Sequence, residues 1–141
     1  MTNVLLATDA DWIADEVMAA LDGPHTVSRV RAGAEVQAAV EALQPELVLL
    51  DLQIGNMGGV AACLNLRLEA RAGRVPTTKV LILLDREADI FLARRAEADG
   101  WLIKPLDSLR LHRAASATLA TGSYTEGIPE EWRHVAPLMN H

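Results

Sequence analysis

Residues 45–59 read PELVLLDLQIGNMGG, and the interpretation of that stretch decides the fold. The run Leu47-Val48-Leu49-Leu50 has no polar alternation, which marks a strand covered on both faces, as in parallel sheets. It stops on a single carboxylate, Asp51, and a glycine-rich loop follows. An aspartate there is either a turn or cap residue ahead of the next helix, or a nucleophile held at the edge of a sheet.

Outward from that strand, hydrophobic periodicity gives a repeating strand–helix pattern. Residues 4–7 form a first apolar strand. A helix begins at about Trp12, with Asp11 as its N-cap and Ile13, Val17, Ala20 and Leu21 on one stripe, and Asp22-Gly23-Pro24 ends it. A weaker strand at His25–Val30 leads to a helix carrying Val36, Val40 and Leu43. After the quoted strand, a helix over about 59–72 sets Val60, Leu64 and Leu68 in register, with Cys63 beside them. Residues 80–84 are the purest apolar strand; a short helix over 87–96 and a fifth strand at 101–103 follow. The last helix, Ser108–Thr121, aligns Leu111, Ala115 and Leu119. Alternation of this kind implies an α/β domain with a parallel sheet, right-handed crossovers and helices on both faces. Sites in such sheets form outside the carboxyl ends of the strands. Three of those ends carry reactive groups: Asp9, Asp51 and Lys104.

Composition narrows the function. The chain has 141 residues, enough for one domain with a real core, and a formal charge of −6. No positive field draws it to nucleic acid or anionic lipid, so protein or small-molecule partners are expected, with no DNA binding. No apolar run approaches the ~20 residues that cross a bilayer. The N-terminus MTNVLLATDA lacks the basic segment and cleavage pattern of a signal peptide. A single cysteine, Cys63, excludes an internal disulfide and a cysteine zinc site, and fits a cytoplasmic protein.

Two carboxylates and an ammonium at one sheet edge suit phosphoryl chemistry. Asp9 and Asp51 offer hard oxygen ligands for Mg²⁺, and Lys104 offers positive charge for phosphoryl oxygens. Phosphoryl transfer needs little beyond such positioning and charge neutralisation. The product would be an aspartyl phosphate.

Three segments, VLLATDAD (4–11), LVLLDLQIGNMGG (47–59) and EADGWLIKPLD (97–107), carry a resemblance to the receiver domains of bacterial response regulators, covering residues 3–121. The resemblance implies a flavodoxin-like (βα)5 fold with strand order 2-1-3-4-5. It makes Asp51 the phospho-acceptor and Asp9 a direct metal ligand, with the backbone carbonyl of Gln53 as the third protein ligand to Mg²⁺. Lys104 becomes the phosphoryl-binding lysine, Lys104–Pro105 a cis peptide, and Trp101 the counterpart of an aromatic that changes rotamer on activation. It further implies a histidine kinase or phosphotransfer partner and output through the helix 4–strand 5–helix 5 face. A homodimer is compatible with it, and catalysis is limited to Mg²⁺-dependent gain and loss of the chain's own phosphoryl group.

The departures are equally specific. Thr8 stands where a second metal-site acid is usual, so Mg²⁺ binding should be weak. The usual hydroxyl at the end of strand four is replaced within Leu83-Leu84-Asp85; Leu84 is the switch position, with Leu83 an alternative because the next loop is two residues short. Glu97 replaces a glycine at a position that often needs positive φ, and Gly55-Asn56 replaces a Pro-Gly turn. Asp11 could stand in for the missing acid but reads better as a helix cap; Asp85 could add compensating charge near the site but reads better as an exposed loop acid. Cys63 reads as core and His112 as solvated. Arg94, Arg95 and Arg113 frame either a docking surface or a plain solvated face.

Composition changes after Thr121, dividing the chain into a receiver domain over 1–121 and a tail over 122–141 without an effector domain. In that tail Trp132, Val135, Leu138 and Met139 could form a docking peptide or cover the domain's own surface. Two rivals to a phospho-accepting regulator stand. One is a receiver-fold scaffold independent of phosphorylation. The other is a flavodoxin-like cofactor carrier, opposed by the lack of a glycine-rich phosphate loop after the first strand.

Overall fold

The computed structural model describes residues 2–127. Trp132, Val135, Leu138 and Met139 lie outside the described residues. The elements run β1 (Thr2–Ala7), α1 (Asp11–Leu21), β2 (His25–Val30), α2 (Val36–Leu43), β3 (Leu47–Asp51), α3 (Gly59–Arg71), β4 (Lys79–Leu84), α4 (Ile90–Arg95), β5 (Gly100–Ile103) and α5 (Ser108–Thr121). Short 3₁₀ turns, Gly33–Glu35 and Glu87–Asp89, lead into α2 and α4. All strand pairs are parallel, and the order is β2-β1-β3-β4-β5. This is the flavodoxin-like α/β fold that the resemblance implied. The chain reverses its direction across the sheet between β1 and β3, so a crevice opens outside their carboxyl ends. Ala7 pairs with Leu50 there, and one step further on Thr8 comes opposite Asp51.

β3 is buried at every position, so the sheet centre has an apolar layer on each side. One layer joins Leu5, Val48, Leu50, Ile82, Leu84 and Trp101 to α2, α3 and α4. The other joins Leu6, Leu49, Leu81, Leu83 and Leu102 to α1 and α5. Alternate residues of each strand thus serve opposite faces, as strand geometry requires.

Three helices differ from the sequence-based expectation. α3 does not bury Val60, Leu64 and Leu68 as its core stripe; Leu64 and Leu68 are exposed, at 37% and 60%. The buried face is Gly59, Ala62, Cys63 and Leu66. The smaller side chains win because α3 starts against the β3 backbone: a Cβ on Gly59 would lie 2.6 Å from the carbonyl oxygen of Asp51. Likewise Leu43 at the end of α2 is exposed rather than core. At α1 the N-cap is Ala10, not Asp11, and no side chain caps the helix. Asp11 instead pairs with Arg29 at 3.0 Å and Arg31 at 3.3 Å, and these cations lower its carboxyl pKa. Glu97 does adopt positive φ, +63°, as its place at the end of α4 required.

Cys63 is fully buried, and its thiol donates to the Ala96 carbonyl oxygen at 3.2 Å. Burial raises the thiol pKa to about 11. Since the thiolate is the reactive species, native protein at pH 8 should resist alkylation over hours, and react within minutes once unfolded in guanidinium. Rapid native labelling, followed by mass spectrometry, would show that α3 does not hold this face inward.

Candidate functional site

The glycine-rich loop after β3 is held by its neighbours rather than loose. The amide of Gly33 donates to the Gly55 carbonyl oxygen at 3.0 Å, and that of Ala34 to Asn56 at 2.7 Å. A Cβ on Gly33 would fall 1.5 Å from the Met57 carbonyl oxygen, so only glycine allows this approach. Asn56 and Met57 take positive φ, +50° and +74°. The carboxylate of Asp9 accepts the Gly55 amide at 3.2 Å, tying the ends of β1 and β3 together. Asp9 itself is exposed.

Asp51 is 1% exposed, and both its oxygens are engaged. Oδ2 accepts the Thr8 hydroxyl at 2.8 Å, and Oδ1 accepts the Lys104 ammonium at 2.7 Å and the Gln53 amide at 3.1 Å. The Gln53 bond is the local turn contact expected of an aspartate; the other two come from β1 and from the end of β5. Thr8 Oγ1 also accepts the Ala10 amide at 3.1 Å, so the hydroxyl proton is left for Asp51.

Lys104 bridges two carboxylates. Its Nζ lies 2.7 Å from Asp51 and 2.8 Å from Asp85. Burial opposes its charge, but the bonds to Asp51 and Asp85 outweigh burial and raise its pKa. Asp85 is therefore not the free, exposed loop acid read from the sequence. Its other oxygen accepts the Gln53 side-chain amide at 2.6 Å. Burial opposes ionisation of Asp85 too, yet Lys104 and Gln53 hold its carboxyl below the ordinary range. The Lys104–Pro105 peptide is cis.

At the end of β4, Leu84 packs in the same apolar layer as Trp101, whereas Leu83 faces the opposite layer. Leu84 is thus the residue that shares the Trp101 side of the sheet. Trp101 is 3% exposed and turned inward, and its indole N–H donates to the Glu126 carbonyl oxygen at 2.8 Å. His112, Arg95 and Arg113 are exposed, and Arg94 is half-buried.

Among the described residues, no group of three or more His, Cys, Asp or Glu side chains is placed to hold a metal. Asp9, Asp51 and the Gln53 carbonyl are nonetheless oxygen donors of the kind Mg²⁺ takes when it keeps several waters. The set fits Mg²⁺ in chemistry, with a neutral hydroxyl rather than a further carboxylate at Thr8, which donates to Asp51.

Sequence reasoning brought Asp9, Asp51 and Lys104 to one edge; Lys104 bonds Asp51 there, and Asp9 reaches the loop after β3 at Gly55. It missed Thr8 as a donor to Asp51, Asp85 as the second partner of Lys104, and Glu126 as the partner of Trp101. The β1–β3 register carried a signal for Thr8, since the residue after Ala7 must face the residue after Leu50.

Comparison with known proteins agrees with this geometry. A profile of the response regulator receiver domain matches residues 4–116. The DNA-binding dual master transcriptional regulator RpaA of Synechocystis sp. is 29% identical over 95% of the chain, which spans 54% of that protein. Several curated relatives are matched over about half their length or less. Protein PilH of Pseudomonas aeruginosa is 26% identical over 85% of the chain and 99% of its own length. Among solved structures, the chemotaxis response regulator CheY4 of Vibrio cholerae superposes with a TM-score of 0.73 at 22% identity, covering 82% of this chain and 97% of that one. No helix among the described residues is long and apolar enough to cross a membrane.

Replacing Thr8 by valine keeps the shape but removes the proton donated to Asp51. A buried carboxylate oxygen left without its donor costs ~1–3 kcal/mol. Urea unfolding of Thr8→Val should show a loss of that size with an unchanged m-value. A change within ~0.5 kcal/mol would mean that the hydroxyl does not support Asp51.

Proposed function

The chain belongs to the response regulator receiver family, and we propose that it accepts a phosphoryl group on Asp51 from a histidine kinase or phosphotransfer protein and signals by protein contact. The observation that carries this is the Lys104 ammonium on a buried Asp51 carboxylate, 2.7 Å apart, in the crevice outside β1 and β3. A carboxylate oxygen of Asp51 would attack phosphorus and form the acyl phosphate bond. The bond from phosphorus to the donor, a phosphohistidine nitrogen, breaks, and the imidazole keeps that electron pair and takes a proton from solvent. Lys104 is placed to pass from Asp51 to the phosphoryl oxygens as negative charge moves there. Mg²⁺, held by Asp9, Asp51 and the Gln53 carbonyl, would offset repulsion between the carboxylate and the incoming group. Catalysis beyond this gain and loss of a phosphoryl group is not part of the proposal.

Asp85 sets this site apart. A phosphoryl group on Asp51 must compete with an existing anion for Lys104, and like charges ~4–6 Å apart repel by a few kcal/mol at an effective dielectric of ~20. That favours slow or partial phosphorylation. It also gives weight to the second reading, a scaffold that keeps the fold and works without phosphorylation. We place the output surface on α4, β5 and α5, where Arg94, Arg95 and Arg113 lie, and the protein in the cytoplasm of a bacterium; that surface could also serve a homodimer.

With Mg²⁺ and a small phospho-donor, the protein should gain one phosphoryl mass, and Asp51→Asn should not. Absence of both an adduct and Mg²⁺ binding at millimolar concentration favours the scaffold. Coupling to Trp101 should be weak, because Leu84 cannot donate to the phosphoryl group. A missing charge-assisted hydrogen bond of ~1.5–3 kcal/mol cuts the conformational bias by roughly one to two powers of ten. Trp101 fluorescence should therefore barely respond to a phosphoryl analogue in the wild type and respond clearly in Leu84→Thr. A large response in the wild type contradicts the weak coupling.

A further inference from the structure

After α5 the chain turns back at Gly122, with φ +100°, and runs parallel to the outer edge of β5. β5 is the last strand of the sheet, so the amides of Trp101 and Ile103 face outward. Such an edge is a template for pairing with another extended segment. Here residues 122–127 take the place: the Trp101 amide donates to the Tyr124 carbonyl oxygen at 3.0 Å. Gly100 makes room, since a Cβ there would lie 1.8 Å from that same oxygen. Burial alternates along the segment, with Gly122, Tyr124 and Glu126 half-buried and Ser123, Thr125 and Gly127 exposed, as on a strand.

Most of the anchoring comes from two side chains. Glu126 accepts the Ile103 amide at 2.9 Å, the Tyr124 hydroxyl at 2.8 Å and Arg110 Nε at 2.9 Å, and a second Arg110 nitrogen bonds it as well. Burial opposes the charge on Glu126, but Arg110, the Ile103 amide and the Tyr124 hydroxyl hold its carboxyl below the ordinary range. Its backbone oxygen takes the Trp101 indole. Arg110 is fixed from behind, by the carbonyl oxygens of Ile103 at 2.7 Å and Pro105 at 2.6 Å. The backbone ladder itself is a single bridge, Gly100 to Tyr124.

We propose that the β5–α5 edge is a recognition groove for an extended peptide carrying an aromatic residue and, two positions on, a carboxylate, and that the chain's own Tyr124-Thr125-Glu126 fills it in cis. A partner protein presenting such a segment would add as a strand at β5, with Arg110 reading its acid and Trp101 its backbone. It must first displace the resident segment. This rests on residues 100–127 and holds whether or not Asp51 is phosphorylated.

The test uses the full chain and a labelled synthetic peptide of residues 121–127. In cis, a short tether gives the segment an effective concentration in the millimolar range, so the wild type should bind the peptide poorly. Glu126→Ala empties the carboxylate's place and should bind the peptide at least about ten-fold tighter. The same peptide with alanine in place of glutamate should bind neither protein. Binding should restore slow exchange of the Trp101 indole proton in Glu126→Ala. Glu126→Gln, a milder change, covers the case that the alanine variant folds poorly, and far-ultraviolet dichroism monitors both. Equal affinities for wild type and variants, or no binding by folded variants up to several millimolar peptide, would overturn the proposal.

Discussion

The contact on which the site depends is the Lys104 ammonium shared by two carboxylates, Asp51 at 2.7 Å and Asp85 at 2.8 Å. A buried carboxylate such as Asp51 is tolerable only if its charge is matched and its lone pairs are filled. Lys104 supplies the charge, and Thr8 and the Gln53 amide fill the remaining sites. The strands make this possible. β1 brings Thr8 opposite Asp51, and the backbone amide of Lys104 donates to the Leu84 carbonyl oxygen at 2.8 Å, fixing where the lysine leaves β5. The small face of α3, led by Gly59, lets a helix close over the acceptor strand without pushing Asp51 aside.

Sharing one cation between two anions has a consequence for function. Resting, Lys104 is already shared by two carboxylates, Asp51 and Asp85, so a new anion enters in competition. On the far side of β5, Trp101 is held from outside by the Glu126 backbone and from inside by the layer that contains Leu84. Both the acceptor and the aromatic are thus tied down by neighbours in this chain: Asp51 by Lys104 and Thr8, Trp101 by residues 124–126.

The fold was legible because four of the five strands carry an uninterrupted apolar run, the edge strand β2 being the exception, and because apolar periodicity marks the helices between them. The placement of Asp9, Asp51 and Lys104 at one edge of the sheet followed from topology alone, since all three sit at strand ends. Less legible was which face of α3 is buried. Val60, Leu64 and Leu68 form as good an apolar stripe as Gly59, Ala62, Cys63 and Leu66, and only the close approach to β3 selects the smaller set. The pairing of Asp85 with Lys104 was not legible because Asp85 lies in a loop, where no periodicity reports the direction of a side chain, and its partner is 19 residues away. Thr8 read as a lost acid, although a hydroxyl beside a carboxylate is a donor. Residues 122–127 read only as a change of composition, and the alternation of Tyr124 and Glu126 was too short to mark a strand.

The competition at Lys104 is tested most directly by the affinity for beryllofluoride, a phosphoryl analogue, with saturating Mg²⁺, in the wild type and in Asp85→Asn. Asparagine keeps the size and one acceptor oxygen but removes the competing charge. Calorimetric titration should give about ten-fold tighter binding in Asp85→Asn, a difference of ~1.4 kcal/mol. Equal affinity in the two proteins, or weaker binding in Asp85→Asn, would contradict the claim that Asp85 and a phosphoryl group contend for the same lysine.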